Sequence, residues 1–290
     1  MKKIIYILTL ILIFLSGCAQ DELSDISVMK DSQRAETPFD KWLFTNYIQP
    51  YNVEYKYRME DIESDQNYNL TPARINKSIQ LAKIINYLCF DVYDQITGSQ
   101  DFIRKYFPKV IHVIGSIAYI SNGTTIGGTA ENGLKITLYN VNSLDPTNIA
   151  SINNNYLHTI HHEFTHILHQ TKPFPTDLKK VTPAGYVRDA FGQVYPYPLM
   201  ALKKGFISPY ASYAVEEDMA EIVSTYITNT PEYWTKQMGY AGPEGASLIN
   251  QKLKIIIQYF QDSWNIDLNK LRDNILKHQQ ELGTIDLNQL

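Results

Sequence analysis

The run His162-Glu163-Phe164-Thr165-His166 restricts this chain more than any other stretch. On a helix, residues four apart lie one above the other on the same face, so both imidazoles can reach a single metal ion. Glu163 follows the first histidine and can reach a water held by that metal, which is the arrangement of a zinc-dependent hydrolase. The neighbouring residues support a helix. Leu157, Ile160, Phe164, Ile167 and Leu168 fall on the side away from His162 and His166, as expected when one side meets a core and the other a cleft. H-E-x-x-H is short enough to arise by chance, so the reading needs a third ligand.

A catalytic zinc site takes three protein ligands and leaves the fourth position open. One route to the third ligand is a later His on the same segment, but that position holds Lys172 and the route is closed. The other route is an acid from a later helix. Glu216-Glu217-Asp218-Met219-Ala220-Glu221 is the obvious source. On a helical projection Val215, Met219, Ile222, Val223 and Tyr226 make the core side, and Glu217 and Glu221 point away from it together. Glu217 is the preferred ligand, with Glu216 and Asp218 as neighbours that could replace it. Glu221 would then accept an N–H from a ligand histidine and fix its tautomer. A plain solvated acidic helix start is the competing reading of this run. Of the other histidines, His158 and His169 project near the ligand face. Only His162 and His166 have the Glu correctly placed, and His169 reads as a supporting or packing residue. His112, in an apolar strand, reads as packed or hydrogen-bonded, and His278 as solvated on a polar helix end.

The composition is that of an ordinary globular chain, with 44% hydrophobic and 19% charged residues and a net charge of −4. No basic run is present, so no nucleic-acid partner is expected. The 21 tyrosines read as compositional bias more than as substrate-contacting surface. At the N-terminus Lys2 and Lys3 precede an apolar stretch from Ile4 to Leu15 and then Leu15-Ser16-Gly17-Cys18. This is a secretory signal too short to span a bilayer. The small residues before Cys18 resemble a bacterial lipobox, which implies residues 1–17 as signal peptide and lipid on Cys18. Residues 18–37 read as a polar tether and 38–290 as the folded domain. Cys89 has no partner and reads as a buried thiol.

Along the domain, 39–48 is expected to be a short helix ended by Pro50, and 51–59 a strand with one wet face. Pro72 opens a helix to about Gln95. Residues 109–120 and 134–141 are strands, separated by turn signals at Asn122-Gly123 and Gly127-Gly128. Residues 171–210, rich in proline, form an irregular wall or lid of the cleft. Helices follow at 215–227, 231–238, 244–264 and 267–282.

HEFTH followed by SPYASYAVEEDMAE resembles the gluzincin pattern of anthrax lethal factor-type metallopeptidases, H-E-x-x-H then Y-x(6)-E-x-x-A-E. The likeness implies Tyr210 at the Tyr, Glu217 as third zinc ligand and Glu221 as the supporting acid. With the lipobox and the early NYIQPYNVEYKYR, nearly the whole chain is similar to the substrate import-associated zinc metallohydrolase lipoproteins, encoded beside SusC/SusD-type uptake systems. The fold this implies is α+β, a zincin-like domain with a small mixed sheet, an active-site helix and a helical C-terminal part. The implied activity is zinc-dependent cleavage of a peptide or protein substrate at the outer membrane, linked to nutrient uptake. Glu163 would be the general base, and Tyr210, or else Tyr213, would hold the oxyanion. The 134–141 strand would pair with an extended substrate along the cleft edge. The alternatives are an amidase or esterase acting on a cell-wall or glycan-linked substrate, and a binding lipoprotein of an import complex.

Overall fold

Val110–Val113 (β2) carries apolar residues on both faces, Lys135–Leu138 (β6) carries Ile136 and Leu138 on one, and both strands lie inside the sheet. Ile111, Val113, Ile136 and Leu138 are fully buried. The sheet order is β1-β2-β6-β5, with β1 at Glu54–Lys56 and β5 at Gly128–Glu131. β1, β2 and β6 run parallel, with Tyr55 opposite Ile111 and Ile111 opposite Ile136, and β5 runs antiparallel to β6. Ala118–Tyr119 (β3) and Thr125–Ile126 (β4) form a separate antiparallel pair. The computed structural model describes residues 36–60, 68–119, 125–126, 128–131 and 134–290. The signal peptide, Cys18, nearly all of the tether and the Asn122-Gly123 turn lie outside the described residues. Thr37–Leu290 forms one unit of the chain, and the architecture is α+β. Among the described residues no helix is long and apolar enough to cross a membrane.

The first helix, Pro38–Leu43 (α1), starts in a capping box in which Thr37 and Asp40 satisfy each other's backbone N–H groups. Pro50 does not end this segment. A π turn at Phe44–Ile48 takes up the proline, and the chain leaves through Asn52 in the left-handed conformation at φ 53°. The helix expected from Pro72 begins at Ile75, because Pro72 bridges to Ile114. It runs as Ile75–Ile85 (α2), a π turn at Asn86–Phe90 and Asp91–Thr97 (α3), ended by Gly98 at φ 74°. The strand expected over 109–120 is broken at Gly115. A Cβ there would sit 2.2 Å from the Pro72 carbonyl oxygen, so the two chain segments meet where only glycine fits.

Many tyrosines are core anchors, neither bias alone nor substrate surface. Tyr47 is fully buried and its hydroxyl donates to the Ala82 carbonyl at 2.6 Å, and Tyr55 donates to Ser78 at 3.0 Å. Their rings carry apolar area inward while the hydroxyls serve carbonyls that would otherwise lose water. The core reaches the metal-motif helix, His158–Thr171 (α5), through Phe164. Its ring meets Phe107 at 5.2 Å and Tyr93 at 5.3 Å, and Phe107 meets Phe90 at 5.0 Å. α5 lies against β5 and β6. Cys89 is buried in this core, where burial pushes its thiol up.

The C-terminal part is helical, with Val215–Thr228 (α6), Pro231–Trp264 (α7) and Leu268–Glu281 (α8). α7 contains the break expected between 238 and 244: Gly242 takes φ 71° ahead of Pro243, which could not continue a straight helix. α6 packs along α5 and against α8. Residues 171–210 are less irregular than expected and contain short helices at Asp177–Val181, Phe191–Val194 and Pro198–Lys203. His278 is buried, not solvated; it contacts Asn274 and Gln95 and stands edge-on to Tyr87.

Two charge arrangements in this frame have measurable consequences. Burial raises the Asp40 carboxyl, but Thr37, Tyr57 and Arg58 outweigh it and hold it at about 2, below the ordinary 3.8. A lowered native value stabilises the fold above the unfolded value, so the contribution is complete above about pH 4. It disappears as the pH falls through about 2. Asp40→Asn should therefore flatten the acid limb of a melting-temperature profile between about pH 4 and pH 2. Lys252 and Asp218 form an ion pair at 2.6 Å with neither side chain exposed. Lys252→Met leaves the Asp218 carboxyl buried without its counter-charge, and should destabilise the fold by about 3–5 kcal/mol in denaturant unfolding.

Candidate metal centre

Ile160, Phe164 and Leu168 point from α5 into the core, and the opposite face carries His162, Glu163 and His166. α6 supplies the facing acid. Met219, Ile222 and Val223 are buried, and the helix is enclosed on most sides because Asp218, Ser224 and Thr228 are buried as well. The packing of α6 on α5 sets the register that brings Glu217 to the histidines. Glu217 Oε2 lies 3.0 Å from His162 Nε2 and 3.1 Å from His166 Nε2, and the two imidazole nitrogens stand 3.1 Å apart. Among the described residues this trio is the one group of metal-ligating side chains placed to hold an ion. Asp218 turns away to Lys252, and Glu216 takes no part in the trio.

A second layer fixes each histidine. His162 Nδ1 lies 2.9 Å from Glu221 Oε1, and Glu221 is held in turn by Ser208, whose hydroxyl donates to its Oε2 at 2.6 Å. The imidazole N–H is not aimed straight at the oxygen, so this contact works through charge more than through an aligned hydrogen bond. His158 Nε2 stands 3.4 Å from the same carboxylate. His166 Nδ1 lies 2.9 Å from His169 Nε2. His161 faces the core, where it meets the Tyr93 hydroxyl at 3.3 Å. Burial lowers His161 to about 3 and His169 to about 4, so His169 is neutral and can accept the His166 proton.

The donor set suits zinc. Protons held on the two Nδ1 atoms leave both Nε2 lone pairs facing each other and a carboxylate oxygen, an arrangement that repels itself without a shared cation or proton. Three ligands about 2.0–2.2 Å from a tetrahedral zinc lie roughly 3.3 Å from one another. The trio is close to that spacing. Its electrostatics point the same way. Burial would lower His162, but Glu217 and Glu221 raise it to about 10. Burial likewise opposes ionisation of the acids, yet His162 and His166 hold Glu217 well below the carboxylate range, and His158 and His162 bring Glu221 to about 2. A site that gathers positive charge this strongly exchanges protons for a metal ion.

Comparison with known proteins agrees with the geometry. Residues 32–269 match the model of a family described as "Putative zinc-binding metallo-peptidase". The chain belongs to that family. Among solved structures, one of a putative zinc-binding metallo-peptidase from Bacteroides caccae aligns with a TM-score of 0.77 and 38% identity, covering 91% of this chain and 99% of the other. No curated protein matches. Zinc is thus the metal that the family description names, and the chain places two histidines and a carboxylate together where an ion could be held.

Glu163 is half-buried next to His162. Burial raises its carboxyl, and the histidines partly offset the rise. Tyr210 precedes α6 and its ring stacks on His162 at 6.0 Å. Burial, then Glu217 and Glu163, raise its phenol, which keeps the hydroxyl protonated. Tyr213 lies behind Tyr210 at 5.9 Å. The sequence reading missed Ser208 and Phe191, the latter packed edge-on to Tyr210 at 5.4 Å. Neither sits in a motif, and only chain reversal brings them to the site. It also misplaced the cleft strand: β6 already has β2 and β5 on its two sides, so among the described residues β5 is the outer strand on this side of the sheet.

The supporting layer gives a direct test. Replacing such a partner lowers metal affinity by about 10- to 100-fold. His169→Ala should show that loss in a chelator competition, while Glu217→Ala should fail to retain zinc through a desalting column.

Proposed function

We propose that this protein is a gluzincin-type zinc metallopeptidase that hydrolyses peptide bonds, with zinc held by His162, His166 and Glu217. The convergence of those three donor atoms within about 3 Å of one another carries the reading. Bound zinc supplies Lewis acidity, polarising the attacking water and the scissile carbonyl. Glu163 takes the proton from water as its oxygen bonds to the carbonyl carbon, and delivers it to the nitrogen as the carbon–nitrogen bond breaks. The raised Glu163 carboxyl suits both halves of that exchange. Tyr210, its hydroxyl kept protonated, donates to the negative charge that develops on the carbonyl oxygen. Tyr213, one ring further back, is the second choice for that role. Glu221 keeps the His162 proton on Nδ1, and His169 does the same for His166. An extended substrate would lie along β5, the outer strand on this side of the sheet among the described residues.

The H-E-F-T-H and Y-x(6)-E-x-x-A-E spacings support the gluzincin assignment. The lipobox ending at Cys18 supports a lipid anchor at the outer membrane, and the whole-chain likeness to import-associated lipoproteins supports a role beside a SusC/SusD-type uptake complex. Glu163→Gln tests the chemistry. It should keep a full equivalent of zinc by elemental analysis and lose about a hundredfold to ten-thousandfold in peptide turnover. Full turnover in that variant, zinc retained, would exclude the mechanism.

A further inference from the structure

Four non-glycine residues among those described take a positive φ: Asn52, Asn140, Asn265 and Arg188. Asparagine tolerates the left-handed region because its short side chain bonds locally, and arginine has no such compensation. Arg188, at φ 53°, is the exception in the group. Backbone held in this region by a residue that disfavours it is a recurring mark of a working site.

The surroundings of Arg188 say what the work is. Val187 N–H donates to the Ser212 carbonyl at 2.8 Å and Arg188 N–H to the Tyr213 carbonyl at 3.2 Å. These bonds clasp the residue to the turn that leads directly into α6 and Glu217. The guanidinium carbon sits 5.7 Å from the Tyr213 ring centroid. Phe191, three residues on, contacts both Tyr213 at 6.4 Å and Tyr210 at 5.4 Å, and Tyr210 stacks on His162. A continuous aromatic surface therefore runs from the metal ligand to the guanidinium. Arg188 is exposed, and no carboxylate among the described residues, the adjacent Asp189 included, lies within ion-pair distance of it. A planar group with five N–H donors stands ready at the end of an aromatic wall.

We propose that Arg188 forms an anion subsite, and that the preferred substrates are peptides carrying a carboxylate roughly two to four residues of extended chain from the scissile bond. The apolar wall of Tyr210, Tyr213 and Phe191 holds the intervening side chains, and Arg188 pairs with the carboxylate, as an acidic side chain or a free C-terminus. The inference rests on the hydrolytic reading for the place of the scissile bond, and its test reads binding separately from cleavage.

The test uses labelled peptides identical except for Glu, Gln or Lys at the variable position, each as free acid and as C-terminal amide. Dissociation constants are taken by fluorescence anisotropy on zinc-loaded Glu163→Gln protein, and KM and kcat on the wild-type sequence. Glu peptides should bind about tenfold tighter than Gln peptides at low salt, with the difference in KM and not in kcat. Arg188→Asn keeps a residue suited to the left-handed backbone and should bring the ratio to one while melting no lower than wild type. Arg188→Asp should reverse the preference toward Lys peptides. A Glu-over-Gln preference equal in free acid and amide assigns the carboxylate to a side chain, and a free-acid-over-amide preference equal for Glu and Gln peptides, lost in Arg188→Asn, assigns it to the C-terminus. Cleavage with an unchanged Glu-to-Gln ratio in Arg188→Asn overturns the subsite and leaves the peptidase standing. A ratio that collapses in that variant, with no peptide cleaved by wild type, overturns the peptidase and leaves the subsite standing. Failure of every peptide to bind overturns the subsite.

Discussion

Two imidazole nitrogens and a carboxylate oxygen held about 3 Å apart in a mostly buried cleft form the contact on which the rest of the molecule turns. Each of these groups loses solvation by being there, and each would otherwise turn toward water. Their arrangement survives because each group is backed by a further partner. Glu221 backs His162, His169 backs His166, and Ser208 backs Glu221. The supports differ in charge. His162 has a carboxylate behind it and His166 a neutral imidazole, and these with Glu217 and Glu163 set negative charge around the place of a divalent ion, which offsets part of the cost of burying them.

The helices that carry these groups are fixed from behind. Phe164 ties α5 to the Phe90–Phe107 cluster next to the sheet. α6 is tied by Asp218, which receives both Lys252 from α7 and the Tyr186 hydroxyl at 2.8 Å. Lys252 donates in turn to the Gly205 carbonyl at 2.7 Å. One buried carboxylate therefore joins the helix of the third metal-site residue, the long C-terminal helix and both ends of the 182–206 segment. Phe191 of that segment packs edge-on against Tyr210, whose ring stacks on His162. The segment's attachment through Tyr186 and the Val187–Arg188 backbone makes it a fixed surface over this stretch, which is what a positioned aromatic wall requires.

Local patterns were informative wherever the relevant period was local. Four-residue spacing put His162 and His166 together, and a two-sided apolar run marked β2 as an interior strand. The same patterns failed where a distant segment intervened. Gly115 breaks an apolar run because the Pro72 backbone passes against it, and Pro50 fails to end a helix because a π turn accommodates it. His278 looked solvated on its own helix, but Gln95 and Tyr87, far away in sequence, cover it. The leader and Cys18 rest on sequence pattern alone.

By itself the sequence determined that one helix face would offer two imidazoles beside an acid, within an α+β chain whose later helix carries candidate carboxylates. Periodicity is a property of each helix alone, and needs nothing from the rest of the chain. The apolar side of its helix already favoured Glu217 over Glu216 and Asp218, and the packing of α6 on α5 is what brings that carboxylate to within about 3 Å of the histidines. The tertiary structure also decided that β5, not β6, is the outer strand on that side of the sheet among the described residues, and that Arg188 from a proline-rich connection lies over the Tyr213 ring. Those outcomes depend on side chains from segments far apart in sequence filling one core, and no local pattern encodes that.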